Sequence, residues 1–301
     1  MTVGAGDDLL DAFDRHRRLL FTVAYHLLGS VADAEDTVQD AWLRWSAVNR
    51  REVVDERAYL VRVISHLALD RLRSAQARRE IYVGPWLPEP LLTDTTAGPP
   101  DPAEAAELGE QVSLAVLVVL ETLSPVERAV FVLREVFGMP LAEVAGVLDR
   151  SDAAVRQLGH RAREHVQARR PRFDTDRRST QQVTERFLAA CVGGDVDALM
   201  AVLSPGVVLL TDGGGVAKAA LRPIVGADKV ARFLTAVTPA GLAQPGLHLE
   251  LAEINGSPGV VVRSEAGPLM AATFVVIEGR VEQALVVLNP DKLAGIAAAA
   301  Q

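Results

Sequence analysis

The sequence predicts a multi-domain chain: two all-helical modules followed by an α+β domain. Three observations predict it. Apolar residues recur at helical spacing over residues 8–80 and again over 104–172. Between these stretches, residues 81–103 hold six prolines and almost no periodicity. From Thr180 to about residue 293 the texture turns to short β-type runs with a few helices among them.

The first module opens with LLDAFDRHRRLLFTVAYHLLG, a helical stripe that stops at Gly29. VADAEDTVQDAWLRW follows, with Asp33, Glu35 and Asp36 in the first turn, where acids suit the helix dipole. A polar loop, SAVNRREVVDER, leads into AYLVRVISHLALDRLRSAQARRE, a long helix that grows more basic towards Arg71, Arg73, Arg78 and Arg79. The proline-rich stretch reads as a semi-extended linker, because proline fixes φ and removes donors. Trp86, Leu87, Leu91 and Leu92 are too apolar for a free tether, so WLPEPL is expected to dock on a surface.

In the second module, LSPVERAVFVLREVFG carries a capping box, Ser124 with Glu127, and Pro125 at the first helical position; Gly138 ends the helix. MPLAEVAGVLDRSDAAVRQLGHRAREHVQARR gives two helices about the turn Asp149-Arg150-Ser151. Leu141, Val144, Ala145 and Leu148 form one apolar stripe; Val155, Leu158, Ala162 and Val166 form the next. Gln157, His160 and Glu164 point the other way, flanked by Arg156 and Arg161. That is a helix-turn-helix whose second helix has a basic outer face fit for a major groove, with arginines on phosphates and Gln157 or His160 near base edges. The pattern alone fits the solvated face of an ordinary helical hairpin equally well. Gly159 costs the helix about 1 kcal/mol against alanine, and close helix packing is the expected reason for it.

In the last domain, helices TQQVTERFLAACVGG and DVDALMAVLS precede the β-type runs VVLLTD, KAALRP, HLELAEI, GVVVRSE, PLMAATFVVIEG and RVEQALVVLN, with the helix ADKVARFLTAV among them. The run TDGGGVAK is the one candidate phosphate loop. It fails the Gly-x-x-x-x-Gly-Lys-Ser/Thr pattern, since Ala217 precedes Lys218 and Ala219 replaces the hydroxyl residue. It reads instead as a turn between strands that uses glycine's access to positive φ.

Composition narrows the function. The 301 residues, 49% hydrophobic and 23% charged, describe an ordinary soluble globular chain. The single cysteine, Cys191, leaves no internal disulfide and fits a reducing cytoplasm. VSLAVLVVL is too short to span a bilayer, and the acidic residues of the N-terminal stretch, where an export signal needs positive charge, lead us to expect none. The net charge of −8 hides a basic cluster: residues 150–178 hold nine arginines against four acids. No cofactor or metal pattern is present in the sequence.

Over residues 8–170 these motifs together resemble a sigma factor of the sigma-70 family, extracytoplasmic-function (ECF) type. AEDTVQDAWLRW is similar to the helix that grips the polymerase clamp, RAYLVRVISHLALDRLR to the helix after the base-capturing loop. LSPVERAVFVLREVFGMPLAEVAGVLDRSDAAVRQLGHRARE resembles the module that reads the minus-thirty-five element. The resemblance implies core RNA polymerase, through its β′ clamp and β flap, and promoter DNA as partners. It implies polymerase contacts at Asp36, Gln39, Asp40 and Trp42, and capture of a flipped minus-ten base by the loop Val48–Arg57, including Asn49, Arg50 and Arg51. His66, Asp70 and Arg73 would face the duplex beside it, and Arg156, Gln157, His160 and Arg161 the upstream major groove. Packing is the preferred reading for Trp42 and Trp45, and Asp70 equally fits a pair with a neighbouring arginine.

Residues 180–293 resemble a SnoaL-like domain of the NTF2-like superfamily, a cone of curved antiparallel sheet with helices. WLPEPL, DGGG and NPDKL are similar to the motifs of an ECF subgroup with this extension, although Val216 and Ala217 separate the glycines from Lys218. An isomerase site of this fold needs a carboxylate base and an oxyanion donor. The domain has no tyrosine, and Asp212, Glu250 and Glu282 are its candidate carboxylates. A small-molecule ligand in the pocket is preferred over catalysis, and regulation by domain contact over both. The expected device joins Trp86, Leu87 and Pro88 to Asp212, Gly213, Gly214 and Gly215 and to Asn289, Pro290 and Asp291, fixing the spacing of the two DNA-binding modules. The rivals are a helix-turn-helix regulator independent of polymerase and a SnoaL-like enzyme with a helical accessory domain. The clamp-like helix separates the sigma reading from both.

Overall fold

The computed structural model describes residues 5–49, 53–93, 112–169, 177–242 and 246–298. They fall into two compact units. The first holds the chain up to Glu80 together with Val119–Arg169. The second holds the linker from Ile81, Ser113–Val118 and the C-terminal part of the chain.

In the first unit α1 (Ala5–Leu28), α2 (Val31–Ser46) and α3 (Glu56–Glu80) pack as a bundle. Gly29 breaks the chain at φ 69°, and Ser30 caps α2 by accepting from Asp33 N at 3.2 Å. The core of this bundle is Phe13, Leu20, Leu27, Val38, Leu60, Ile64 and Leu72, with the wholly buried Trp45 among them. The Trp45 indole donates to Leu9 O at 3.0 Å, which satisfies its one polar atom.

After α4 (Leu114–Leu120), α5 (Pro125–Phe131) begins with the expected capping box, Ser124 Oγ taking Glu127 N and Glu127 reaching back to Ser124 N. The helix does not run unbroken to Gly138 as the spacing predicts. Residues Val132–Val136 widen into a π-helical turn, closed by Phe137 N to Val132 O and Met139 N to Leu133 O, both 3.1 Å. The helix-turn-helix follows as α6 (Leu141–Val147) and α7 (Asp152–Arg169). A Cβ on Gly159 would meet Val130 Cγ1 at 3.3 Å, so close packing of α7 on α5 explains the glycine.

The bundle and the helix-turn-helix module are joined by buried polar bonds. Arg128, 1% exposed, donates through Nε to His26 O at 3.2 Å. Glu121 pairs with both Arg128 and Arg79, and Arg79 also donates to Leu28 O at 2.6 Å. His26 is buried against Phe137, ring centres 5.9 Å apart. Burial, and then the charge of Arg128, hold its imidazole down at about 3.

In the second unit α8 (Arg177–Gly193), α9 (Val196–Val202) and α10 (Ala227–Leu242) cover a six-stranded sheet. Its strands are β1 (Leu203–Asp212), β2 (Ile224–Val225), β3 (His248–Ile254), β4 (Ser257–Ser264), β5 (Gly267–Ile277) and β6 (Arg280–Val287). They lie in the order β2-β1-β6-β5-β4-β3. The sheet is mixed, not wholly antiparallel: β1 and β6 run parallel, which the long chain between them permits. Phe187, Phe274, Val183, Leu199, Val230 and Val260 fill the space between helices and sheet. Helix α11 (Pro290–Ala298) packs beside β5.

The run KAALRP is not a strand. The Thr211 side chain binds Ala220 N and O, at 2.8 and 3.2 Å, in place of a ladder, and only Ile224–Val225 pairs with β1. Opposite, the linker extends the sheet beyond the end of β3. Leu92 bridges Ile254, Thr93 N donates to Glu253 O at 2.8 Å, and Asn255 N to Leu91 O at 2.8 Å.

Candidate functional site

The expected polymerase residues lie on α2. Asp36 and Gln39 are exposed and Asp40 half-buried, one face of the helix. Arg71 of α3 reaches both acids: Nη1 to Asp36 Oδ2 at 3.4 Å and Nη2 to Asp40 Oδ2 at 2.6 Å. The bond to Asp40 holds the guanidinium pKa above its ordinary value. Trp42 is half-buried, edge-on to Phe13 at 5.2 Å, in keeping with a packing role.

Of the expected minus-ten residues, Asn49 is exposed, and Arg50 and Arg51 lie outside the described residues. His66, Asp70 and Arg73 share one face of α3, with Arg73 paired to Asp70 at 2.8 Å. The structure brings the turn of the helix-turn-helix onto this face. His66 Nε2 lies 2.5 Å from Val147 O and 3.6 Å from Asp149 Oδ2, and Arg62 pairs with Asp149. Asp149 holds φ at 49°, an uncommon backbone for a residue with a side chain.

On α7, Arg156, Gln157, His160 and Arg161 are all exposed, at one helical face and its flank. Arg161 lies 3.5 Å from Glu127, and His160 3.5 Å from Glu164. The buried side of the same helix is Val155, Ala162 and Val166. This is the geometry a major-groove helix needs: a packed back and an unobstructed basic front.

The linker motif WLPEPL meets DGGG and NPDKL in the second unit. Asp212, at the end of β1, is wholly buried and accepts four bonds: from Leu87 N at 2.8 Å, Tyr82 Oη at 2.6 Å, Gly214 N at 3.1 Å and Lys292 Nζ at 2.7 Å. Lys292 also donates to Leu87 O at 2.5 Å, so Asp212 and Lys292 together hold both backbone groups of Leu87. The ammonium sits 4.0 Å from the Trp86 ring centre and 4.8 Å from that of Tyr82, a cation–π arrangement. Leu87 and Pro88 are buried. Asn289 donates to Tyr82 Oη at 2.9 Å and accepts from Asp291 N at 3.1 Å, while Pro290 starts α11. Burial first, then the bond to Asp212, pushes the Tyr82 phenol far above its usual value.

The glycine turn is shaped by this docking. Val216 N and Ala217 N both return to Gly213 O, at 3.0 and 2.9 Å. Gly214 has φ 61°, and a Cβ there would stand 2.4 Å from Asn289 Nδ2. Val83 lies over Gly215 at 3.2 Å from the place of its Cβ.

Two residues at the centre escaped sequence reasoning. Lys292 is marked only by its place within NPDKL, and Tyr82 only by its place just ahead of WLPEPL. The candidate catalytic carboxylates Asp212, Glu250 and Glu282 lie on three different strands, β1, β3 and β6. Asp212 faces the interior, not solvent, and is consumed by the linker; Glu250 pairs with Arg263 at 3.2 Å on an exposed edge. Among the described residues no group of three or more His, Cys, Asp or Glu side chains is placed to hold a metal ion. No described helix is long and apolar enough to cross a membrane.

Comparison with known proteins adds the identity. Residues 12–78 match Sigma-70 region 2, and residues 113–166 match Sigma-70, region 4. The chain is 42% identical over 297 residues to the ECF RNA polymerase sigma factor SigJ of Mycobacterium tuberculosis, covering 94% of this chain and 92% of that one. It is 32% identical over 295 residues to the probable ECF RNA polymerase sigma factor SigI of the same species, covering 95% of each. The crystal structure of M. tuberculosis SigJ superposes with a TM-score of 0.75 at 37% identity, over 95% of this chain and 98% of that one. With both regions matched in order and full-length relatives at this similarity, the chain belongs to the extracytoplasmic-function sigma factors of the sigma-70 family, which direct RNA polymerase to promoters and are not enzymes.

Proposed function

We propose that the C-terminal domain sets the activity of this sigma factor by holding the linker between its two promoter-binding modules. The observation that carries the reading is the grip of Asp212 and Lys292 on the two backbone groups of Leu87. A backbone grip fixes the path of the chain, and the buried Leu87 side chain fixes its register. The β-bridge at Leu92 adds a second anchor five residues on.

In this reading Asp36, Gln39, Asp40 and Trp42 belong to the helix that meets the β′ clamp of core polymerase, and the helix-turn-helix module meets the β flap. Asn49, Arg50, Arg51, His66, Asp70 and Arg73 serve the minus-ten element. Arg156, Gln157, His160 and Arg161 serve the minus-thirty-five element. The work is done in the cytoplasm, with polymerase. In the first unit Val147 O and Asp149 lie against His66, while Asp70 and Arg73 on the same face of α3 stay exposed.

Removal of residues 177–301 tests the reading. The truncated chain is expected to bind purified core RNA polymerase, and to change promoter-specific transcription severalfold. Transcription equal to that of the full chain would overturn it.

A further inference from the structure

We propose that Arg71 is a positioning residue for polymerase binding: it draws Asp36 and Asp40 into one preset acidic pair aimed at a basic surface of the core enzyme. The proposal rests on the reading of α2 as the clamp-binding helix. Its own ground is geometric. Asp36 and Asp40 stand one turn apart on α2, where two like charges repel and their side chains would spread apart. Arg71 comes from a different helix, α3, and spans the gap with one guanidinium, Nη1 on Asp36 and Nη2 on Asp40.

Each acid spends only one oxygen on Arg71. Both bonds end on Oδ2, and among the described residues Oδ1 of neither acid takes a hydrogen bond. A carboxylate offers about four lone-pair sites, so each keeps capacity for an arriving guanidinium or ammonium group. The exposures are graded to match. The side chain of Asp36 is 65% exposed and that of Asp40 43%, while Arg71 is 29% exposed beneath them. Arg71 thus sits behind the acids as a brace, and each acid keeps one oxygen that Arg71 does not use.

Two effects of the brace oppose each other. Its positive charge reduces the attraction of the pair for a basic partner. Its bonds remove the rotamer freedom that each acid would otherwise lose on binding. Three features favour the second. The charges are exposed and screened by salt, the Arg71 bonds leave one oxygen of each acid unused, and the fork of arginine matches two carboxylates as a lysine point charge does not.

The test is the kinetics of binding to purified core RNA polymerase, using the full-length chain. Arg71→Ala is expected to raise the dissociation rate about three- to tenfold, with an association rate unchanged or slightly higher. In an Asp36→Asn/Asp40→Asn background the same substitution is expected to have no further effect, since there is no pair left to set. Arg71→Lys keeps the charge without the fork, and is expected to dissociate at least twofold faster than the parent; it also serves if the alanine variant folds poorly. Equal or tighter binding by Arg71→Ala would make Arg71 a competitor for the acids and overturn the proposal. Full core binding by Asp36→Asn/Asp40→Asn would instead overturn the reading of α2 itself. Loss of binding by that pair together with no change on Arg71→Ala would overturn the brace alone.

Discussion

Replacing Lys292 with methionine tests the linker site most directly. The substitution shortens the unbranched side chain by one atom, nearly keeps its volume and removes its charge. Asp212 then stays fully buried with three of its four donors, Leu87 N, Tyr82 Oη and Gly214 N, but without a cation. Removing one partner of a buried ion pair typically costs about 3–5 kcal/mol. The lost bond to Leu87 O and the lost cation–π contact with Trp86 act in the same direction. The surviving donors act against it, so about 3 kcal/mol is the expected loss. For a domain of this size that lowers the melting temperature by about 10–15 °C. Urea unfolding and limited proteolysis of the linker read the two consequences, stability and release. Asp212→Asn/Lys292→Met, which removes both charges, should recover at least about 2 kcal/mol of the loss, because no buried charge is then left alone. A Lys292→Met variant that loses less than about 1 kcal/mol would refute the reasoning. So would a double variant no more stable than the single one.

Two further outcomes are expected. Gly214→Ala places a methyl 2.4 Å from Asn289 Nδ2 at a positive φ, whereas Gly279→Ala, also at positive φ, meets nothing within 4 Å. Gly279→Ala should cost about 1–2 kcal/mol of backbone strain and leave the linker protected from protease, while Gly214→Ala should cost more and expose it. His26 supplies the pH dependence: its folded value, about 3, lies below the ordinary 6.5, so its contribution is full above 6.5 and is lost as pH falls. By pH 5 the loss is about 2 kcal/mol, measured as the change in urea unfolding of the first unit from pH 7.5, and His26→Leu should remove that part of the slope.

The helices and the helix-turn-helix were legible because their signals are local. Ser124, Glu127 and Pro125 announce a helix start whatever the rest of the chain does, and the stripe Val155, Leu158, Ala162 and Val166 shows which side of α7 packs inward, with Leu158 half-buried and the other three buried. The widening at Val132–Val136 was not legible, since it is a register change inside a helix with no sequence marker of its own. KAALRP looked like a strand because alternation says nothing about whether a partner edge is free, and Thr211 takes the backbone bonds there. The linker site was legible as a meeting of motifs and not as a mechanism. Strand alternation does not show that Asp212 is covered, because it is the linker that closes over it, and closure by a segment more than a hundred residues away leaves no periodic trace. Arg71 escaped for the same reason: its value depends on the approach of α3 to α2.

The capture of the linker changes the mechanics of the chain. Glu80 and Ser113 are joined by residues 81–112, which fully extended would reach about 110 Å at some 3.4 Å per residue. With residues 82–93 held from Tyr82 to Thr93, about 40 Å of that reach belongs to the C-terminal domain and no longer to the tether. Under the regulation proposed above, the linker left to span region 2 and region 4 is residue 81 and residues 94–112, a reach of about 70 Å at most.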